Sequence, residues 1–346
     1  MFTANATLKG NGTERGMSYG ARWGCELRTL EPHLLQSKFW RTELPLQNEI
    51  KERHMNNVKR RFPDLANEIE GMATAAGVSV GTALNWVLID GFSWGIFATD
   101  ENMPAEPMCT NLSITDCCEE PMLMQTVDAP DAAFLIAHKI YPENGYAHMY
   151  HGRLGSVVAT SGLNEKGLAI GGVSSYATSQ DLDGFVCGML IRACLQYCAT
   201  VSDAVGLISK HNLMFGGYTV NCIDQSGKNA VIEKTPEDQA VRHSEGPYMF
   251  NTKFETPYMK EKNKAFQFDQ WEKRGYNRLG TFKRLMESEP RPYSINTMER
   301  IMSDHSPNGP IWDWSTLMGY IMLPQSQKIR IYPGPPDYAA YEESTL

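Results

Sequence analysis

Residues 99–108, TDENMPAEPM, separate two stretches of chain with different hydrophobic periods, and this change limits the possible folds more than any other feature. Upstream, apolar residues recur with helical spacing. Leu27, Leu30, Leu34 and Leu35 do so within residues 22–61, and after Pro63 the residues Leu65, Ile69, Met72 and Ala76 fall at i, i+4, i+7 and i+11. Gly77 stands where a helix C-cap glycine belongs, and a further apolar helix is predicted over 80–88. Downstream the period becomes two. CTNLSIT, PMLMQTVD, AFLIAHKIY, YAHMYH, GSVVAT and GLAIGGV are short β-prone runs broken by Gly, Pro, Asn and Asp, as in antiparallel hairpins. Helices are predicted at 184–198 and 202–211, and strands at YTVNCID, NAVIEKT, QAVRHS and YMFN. A charged helix over 269–286 and a closing hairpin, LMGYIMLP with KIRIYP, complete the pattern. The order predicts an α+β protein with helices packed on antiparallel sheets. Its parts are a helical segment over 1–108 and a sheet-rich domain over 109–346.

Apolar residues make up 42% of the 346 and charged ones 21%, enough for a large core. The formal charge of −8 argues against nucleic acid or an anionic membrane as the main partner. The first residues lack a basic, then apolar, leader pattern. The apolar run ALNWVLIDGFSWGIFA is interrupted by Asp90 and two glycines, which argues against a membrane span. Eight cysteines in such a chain read as reduced thiols. The expectation is a cytoplasmic protein, and self-association into a homo-oligomer is compatible with the sequence.

Cys109 begins a strand pattern directly after the linker. Cutting the Met108–Cys109 peptide bond would give this thiol an α-amino group of its own, with a pKa near 7.7–8, able to take the thiol proton and return it to a leaving amine. By residue type alone, Cys109 reads first as a small buried residue at a strand start.

The segments GNGTERGMSYG, FPDLANEIEGMATAAGVSV, MCTN, NEKGLAIGG and FNTKF occur in that order along the chain. In this the sequence resembles the acyl-coenzyme A:6-aminopenicillanic acid acyltransferase family, and is similar to the choloylglycine hydrolases and penicillin V acylases. All of these are N-terminal-nucleophile enzymes acting on amide bonds. The resemblance spans nearly the whole chain and implies an αββα sandwich, two antiparallel sheets flanked by helices. It also implies autocatalytic cleavage of a zymogen into a helical pro-segment and a catalytic chain, and the apolar helix faces of the pro-segment, which need a partner, predict that the two stay together. Cys109 then corresponds to the nucleophile and Thr110 to the small hydroxylic residue after it. Asp128, 19 positions on (128 − 109), corresponds to the aspartate that holds the α-amino group. Gln125 falls where bile-salt hydrolases carry arginine and the acyltransferase a polar amide, and it also reads as a plain strand residue. Asn251 corresponds to the amide donor to the oxyanion, and Ser174 to a second oxyanion position where a backbone N–H serves. Arg278 corresponds to an arginine that opens a helix after the oxyanion asparagine; it steadies the amino-terminal site or pairs on a surface helix.

The chain departs from the family pattern at two positions. Met108 replaces the glycine that eases the strained bend of an N-to-S acyl shift, and Ser174 replaces asparagine. These departures motivate the reading of an uncleaved protein, while the activity that the resemblance implies is hydrolysis of a small N-acyl amide. Acyl transfer from coenzyme A to an amine is the alternative, as is an uncleaved, non-catalytic binding protein of the same fold. The substrate would be a small-molecule amide or acyl thioester, with no metal or organic cofactor. Cys187, Cys194 and Cys198 are spaced for one helix face, and His148 and His151 fall on opposite faces of a strand, so neither set reads as a metal site. Gly10, Gly12 and Gly16 form a G-x-G-x-x-x-G, one residue too long for a dinucleotide fingerprint and without a predicted strand ahead of it. Lys59-Arg60-Arg61 reads as a helix end, and the stretch from Lys253 to Arg284 reads either as a charged surface helix or as a contact for an anionic substrate.

Overall fold

The computed structural model describes residues 4–36, 44–88, 109–128, 135–263 and 269–346. The 99–108 linker, Met108 and Asp90 lie outside the described residues. Two sheets form the middle of the molecule. Sheet one runs in the order β1 (Ala4–Gly10), β4 (Leu135–Pro142), β5 (His148–Arg153), β6 (Ser161–Asn164), β7 (Leu168–Gln180), β8 (Phe215–Asp224), β9 (Asn229–Lys234), β10 (Gln239–His243). Sheet two runs β11 (Tyr248–Asn251), β2 (Thr110–Ile114), β3 (Met122–Asp128), β12 (Thr316–Leu323), β13 (Lys328–Tyr332), β14 (Glu342–Thr345).

Strand alternation sorts the apolar residues into three layers. Met149, Leu163, Ala169 and Ile223 of sheet one meet Leu123, Val127, Tyr320 and Met322 of sheet two. The outer face of sheet one, with Ile136, Tyr150 and Ile170, is covered by six helices: α1 (Gly12–Gln36), α2 (Leu44–Arg61), α3 (Pro63–Ala76), α4 (Val80–Val87), α5 (Cys187–Tyr197) and α6 (Val201–Lys210). A short α7 (Pro257–Asn263) packs near β7 and β10. The outer face of sheet two, with Leu112, Ile114, Met122 and Met124, is covered by α8 (Asp269–Ser288) and α9 (Ile295–Met302). The result is an αββα sandwich, as the resemblance implies, and an α+β protein with helices packed on its sheets, as the alternating runs predict. No described helix is long and apolar enough to cross a membrane.

Three features depart from the sequence pattern. The first hundred residues are not all helical: β1 pairs with β4 in parallel, so sheet one is not purely antiparallel. The strand is also the one missing from the reading of the glycine run, since it leads directly into Gly10 and α1. The run GSVVAT is not a strand; Gly155 turns with φ +78°, and Ala159 N–H donates to the Gly188 carbonyl at the start of α5, 3.0 Å away. Finally, α7, α9 and β14 appear where no element is predicted.

Glycines at every fourth position, Gly12, Gly16, Gly20 and Gly24, flatten one side of α1. Added Cβ atoms on the first three would run into the carbonyl oxygens of Asp64, Glu68 and Met72, so the backbones of α1 and α3 touch. The Gly12 N–H donates to the Asp64 carboxylate at 2.7 Å, which fills the start of α1 with a protein group. Beneath this contact lies a buried ionic cluster. Glu68 binds Arg15 (2.8 Å) and Arg192 of α5 (3.2 Å), Arg15 binds Asp64 (2.6 Å), and Gln196 joins Asp64 (2.7 Å). These bonds tie the N-terminal helices to α5 and so to sheet one.

Candidate active site

The candidate residues converge where β2 and β3 end on the same side of sheet two. These strands pair with Thr110 opposite Thr126 and Asn111 opposite Gln125. Cys109, one residue ahead of β2, is half-buried and packs on the layer between the sheets; its Sγ lies 3.9 Å from the Asp128 carbonyl oxygen. Thr110 is fully buried, its hydroxyl 2.6 Å from that of Thr126. It thereby fixes the residue next to the thiol.

Asp128 ends β3, and its side chain turns to the helix-covered face. Oδ2 accepts from the Arg278 guanidinium at 2.6 Å, both side chains being wholly buried, and Oδ1 accepts from the Thr316 hydroxyl at 2.7 Å. Arg278 sits in the middle of α8 rather than at its opening, and it is no surface residue. It also donates to the Pro310 carbonyl (2.8 Å) and to Asp313 (3.0 Å), and Asp313 forms an ion pair with Arg274 one turn back along α8. Such charges are tolerated in the interior because each is paired and hydrogen-bonded.

On the other face of β2 and β3 lies a layer of carboxamides. Asn111 donates to the Gly171 carbonyl (3.2 Å) and Gln125 to the Gly172 carbonyl (2.9 Å), so both reach across to β7. Gly171 has no room for a Cβ, which would strike the Gln125 amide oxygen. Asn251, the register partner of Asn111, is fully buried, and neither atom of its amide has a hydrogen-bond partner. A buried amide without partners is costly, and this one lies on the strand beside β2. Ser174 lies on β7 opposite Tyr218. Alternation from Gly171 turns its side chain away from Asn111 and Gln125, leaving only its backbone for an oxyanion role.

Tyr320, the register partner of Gln125, closes the floor beside Cys109 and stacks on His151 with ring centroids 4.0 Å apart. Burial raises the Tyr320 hydroxyl pKa, with the Cys109 charge adding to it, and burial lowers the His151 imidazole to about 3, so both are uncharged near neutrality. His148 faces the opposite side of β5, beside Tyr150, as the spacing predicts. Among the described residues no group of three His, Cys, Asp or Glu side chains could hold a metal ion. Asn111, Asp313, Thr316 and Tyr320 belong to this geometry but escaped the sequence reading. Alternation from Cys109 is the signal that would have pointed to Asn111.

The family model described as acyl-coenzyme A:6-aminopenicillanic acid acyl-transferase matches residues 122–335. The chain belongs to this family. The matched region of the acyl-transferase family contains Gln125, Asp128, Ser174, Asn251 and Arg278, and begins after Cys109 and Thr110. Similar solved structures include penicillin V acylase from Agrobacterium tumefaciens, at 16% identity and TM-score 0.44, covering 65% of this chain and 83% of that one. Another is the Caenorhabditis elegans N-acylethanolamine-hydrolyzing acid amidase ortholog, at 14% identity and TM-score 0.47, covering 69% and 100%. A mutant of conjugated bile acid hydrolase from Clostridium perfringens is similar at 11% identity and TM-score 0.48, covering 69% and 92%. No curated protein matches the chain.

Proposed function

We propose that this family member is a self-processing N-terminal-nucleophile enzyme that cleaves linear amide C–N bonds through an acyl-cysteine, with hydrolysis of a small N-acyl amide as its reaction. The observation that carries this reading is the gathering of three residues about the start of β2: Cys109 with its half-buried thiol, Asp128, whose carbonyl lies 3.9 Å from that thiol and whose carboxylate is held by Arg278 and Thr316, and Asn251 with its unpartnered amide. In processing, Sγ adds to the carbonyl carbon of residue 108, the C–N bond breaks as the thiol proton passes to nitrogen, and water hydrolyses the resulting thioester. Residue 108 leaves as a carboxylate and Cys109 gains a free α-amine.

In turnover that amine takes the thiol proton while Sγ attacks the substrate carbonyl, and Asn251 donates to the oxyanion. The C–N bond breaks as the proton passes to the departing amine. Water then adds to the acyl-cysteine, C–S breaks, the acid is released and the thiol is restored. Asp128 holds the α-ammonium, and Arg278 holds Asp128. The N-terminal segment remains attached through β1 and the Glu68 cluster.

The family's own description favours a second reading in which an acyl-coenzyme A thioester supplies the acyl group and an amine takes the place of water. Intact mass of purified protein, with Cys109→Ala alongside, tests the common first step. Two fragments divided between residues 108 and 109 in the wild type alone are expected. A single full-length mass that persists on incubation would overturn the reading in favour of a non-catalytic protein, and cleavage in Cys109→Ala would mean that another protease makes the cut.

A further inference from the structure

We propose that Asp313 is a positioning residue of the Cys109 centre: it grips the far side of the Arg278 guanidinium and offsets the positive charge that Arg278 presents to Asp128 and the amino terminus. This rests on the function proposed above. The geometry is a line of alternating charge: Asp128, Arg278, Asp313, Arg274, with the first three side chains 9% exposed or less. Asp313 is itself held, since its Oδ1 accepts from the Ser315 N–H at 2.8 Å and its own N–H donates to the Thr316 hydroxyl at 3.1 Å. Thr316 is the same residue that donates to Asp128. One turn ahead of β12 therefore grips both members of the Asp128–Arg278 pair, and Arg278 cannot rotate away from Asp128 without leaving Asp313.

Around Cys109, Tyr320 of β12 and the His151 of β5 stacked on it lie on the inter-sheet side, and the Asp128, Arg278, Asp313, Arg274 line lies on the helix-covered side of sheet two. Tyr320 and His151 stay neutral over pH 5–9, so ionisation in that range belongs to the Cys109 thiol and its α-amine. Removing the Asp313 charge leaves Arg278 offset by Asp128 alone, and the added positive charge disfavours the ammonium and favours the thiolate; both act to lower the pH at which Cys109 becomes reactive. Removing the Arg274 charge does the reverse.

The test is the pH dependence of iodoacetamide alkylation at Cys109, followed by peptide mass spectrometry on full-length protein, with cleavage scored in the same samples. For Asp313→Asn the midpoint is expected to fall by about half a pH unit or more. Arg274→Gln is expected to raise it, and Asp313→Glu to leave it near wild type. A purely structural role lowers yield or rate without opposite shifts in the two variants. If Asp313→Asn does not fold, the sign of the Arg274→Gln shift decides. An unchanged or lowered midpoint in Arg274→Gln, or an unshifted midpoint in folded Asp313→Asn, overturns the proposal while wild-type cleavage leaves the function standing. A wild type that never yields a chain starting at Cys109 overturns both.

Discussion

At the scale of single residues, Asn251 is the clearest case of a side chain whose position costs stability. Its amide is fully enclosed and makes no hydrogen bond. A buried unpaired polar group costs about 1–3 kcal/mol, so Asn251→Ala is expected to leave resistance to urea unchanged or slightly higher. The same change is expected to lower kcat by roughly 10²–10³, with KM little altered, as for loss of an oxyanion donor. The opposite pair of results, lost stability with retained turnover, would make Asn251 a packing residue. Cys109, Asp128, Asn251 and Arg278 could be named from motif order because each sits in a short recognisable run. Thr316 could not, since it meets Asp128 across 188 residues of chain and its own surroundings read only as a turn. The same holds for Asp313, whose part in the site depends on where α8 lies.

Among the elements, the contact of α1 with α3 depends on the absence of side chains. Gly20→Ala gains roughly 1 kcal/mol of helix propensity but drives a methyl group into the Met72 carbonyl. Overpacking of this kind costs about 1–3 kcal/mol. The expected net result is a lower melting temperature, with earlier release of the N-terminal helices in native-state proteolysis. A variant as stable as the wild type would show that the helices can separate without loss. Helix boundaries were legible where a residue has one local meaning, as with Pro63 and the left-handed Gly77 (φ 68°) that closes α3. Strand β1 was not, because within residues 5–10 Ala6 and Leu8 turn inward, and two alternating apolar residues give too faint a period. GSVVAT failed for the opposite reason. Its valines are buried, but beneath α5, where a helix terminus rather than a neighbouring strand takes up a backbone hydrogen bond.

For the molecule as a whole, buried histidines tie stability to pH. Burial lowers His54 to about 4, and His138 and His151 to about 3, from an ordinary value of 6.5. The unfolded chain therefore takes up protons below about pH 6.5 that the folded chain refuses until about pH 4 or lower. Their contribution is whole above pH 6.5 and shrinks as pH falls, by roughly 2 kcal/mol per histidine at pH 5. Urea midpoints measured from pH 7.5 to 4.5 should fall steadily, with a slope about one proton shallower for His138→Gln. A flat profile over that range would mean these imidazoles are not held neutral. One further consequence follows from β1. Sheet one draws its edge strand from residues 4–10 and its next strand from 135–142, so the seven-residue ladder between them joins parts of the chain that are remote in sequence. Severing the backbone between residues 88 and 109 would give two polypeptides that each hold one side of that ladder and one side of the α1–α5 layer. They amount to a split protein, whose halves should recover a folded state only when mixed.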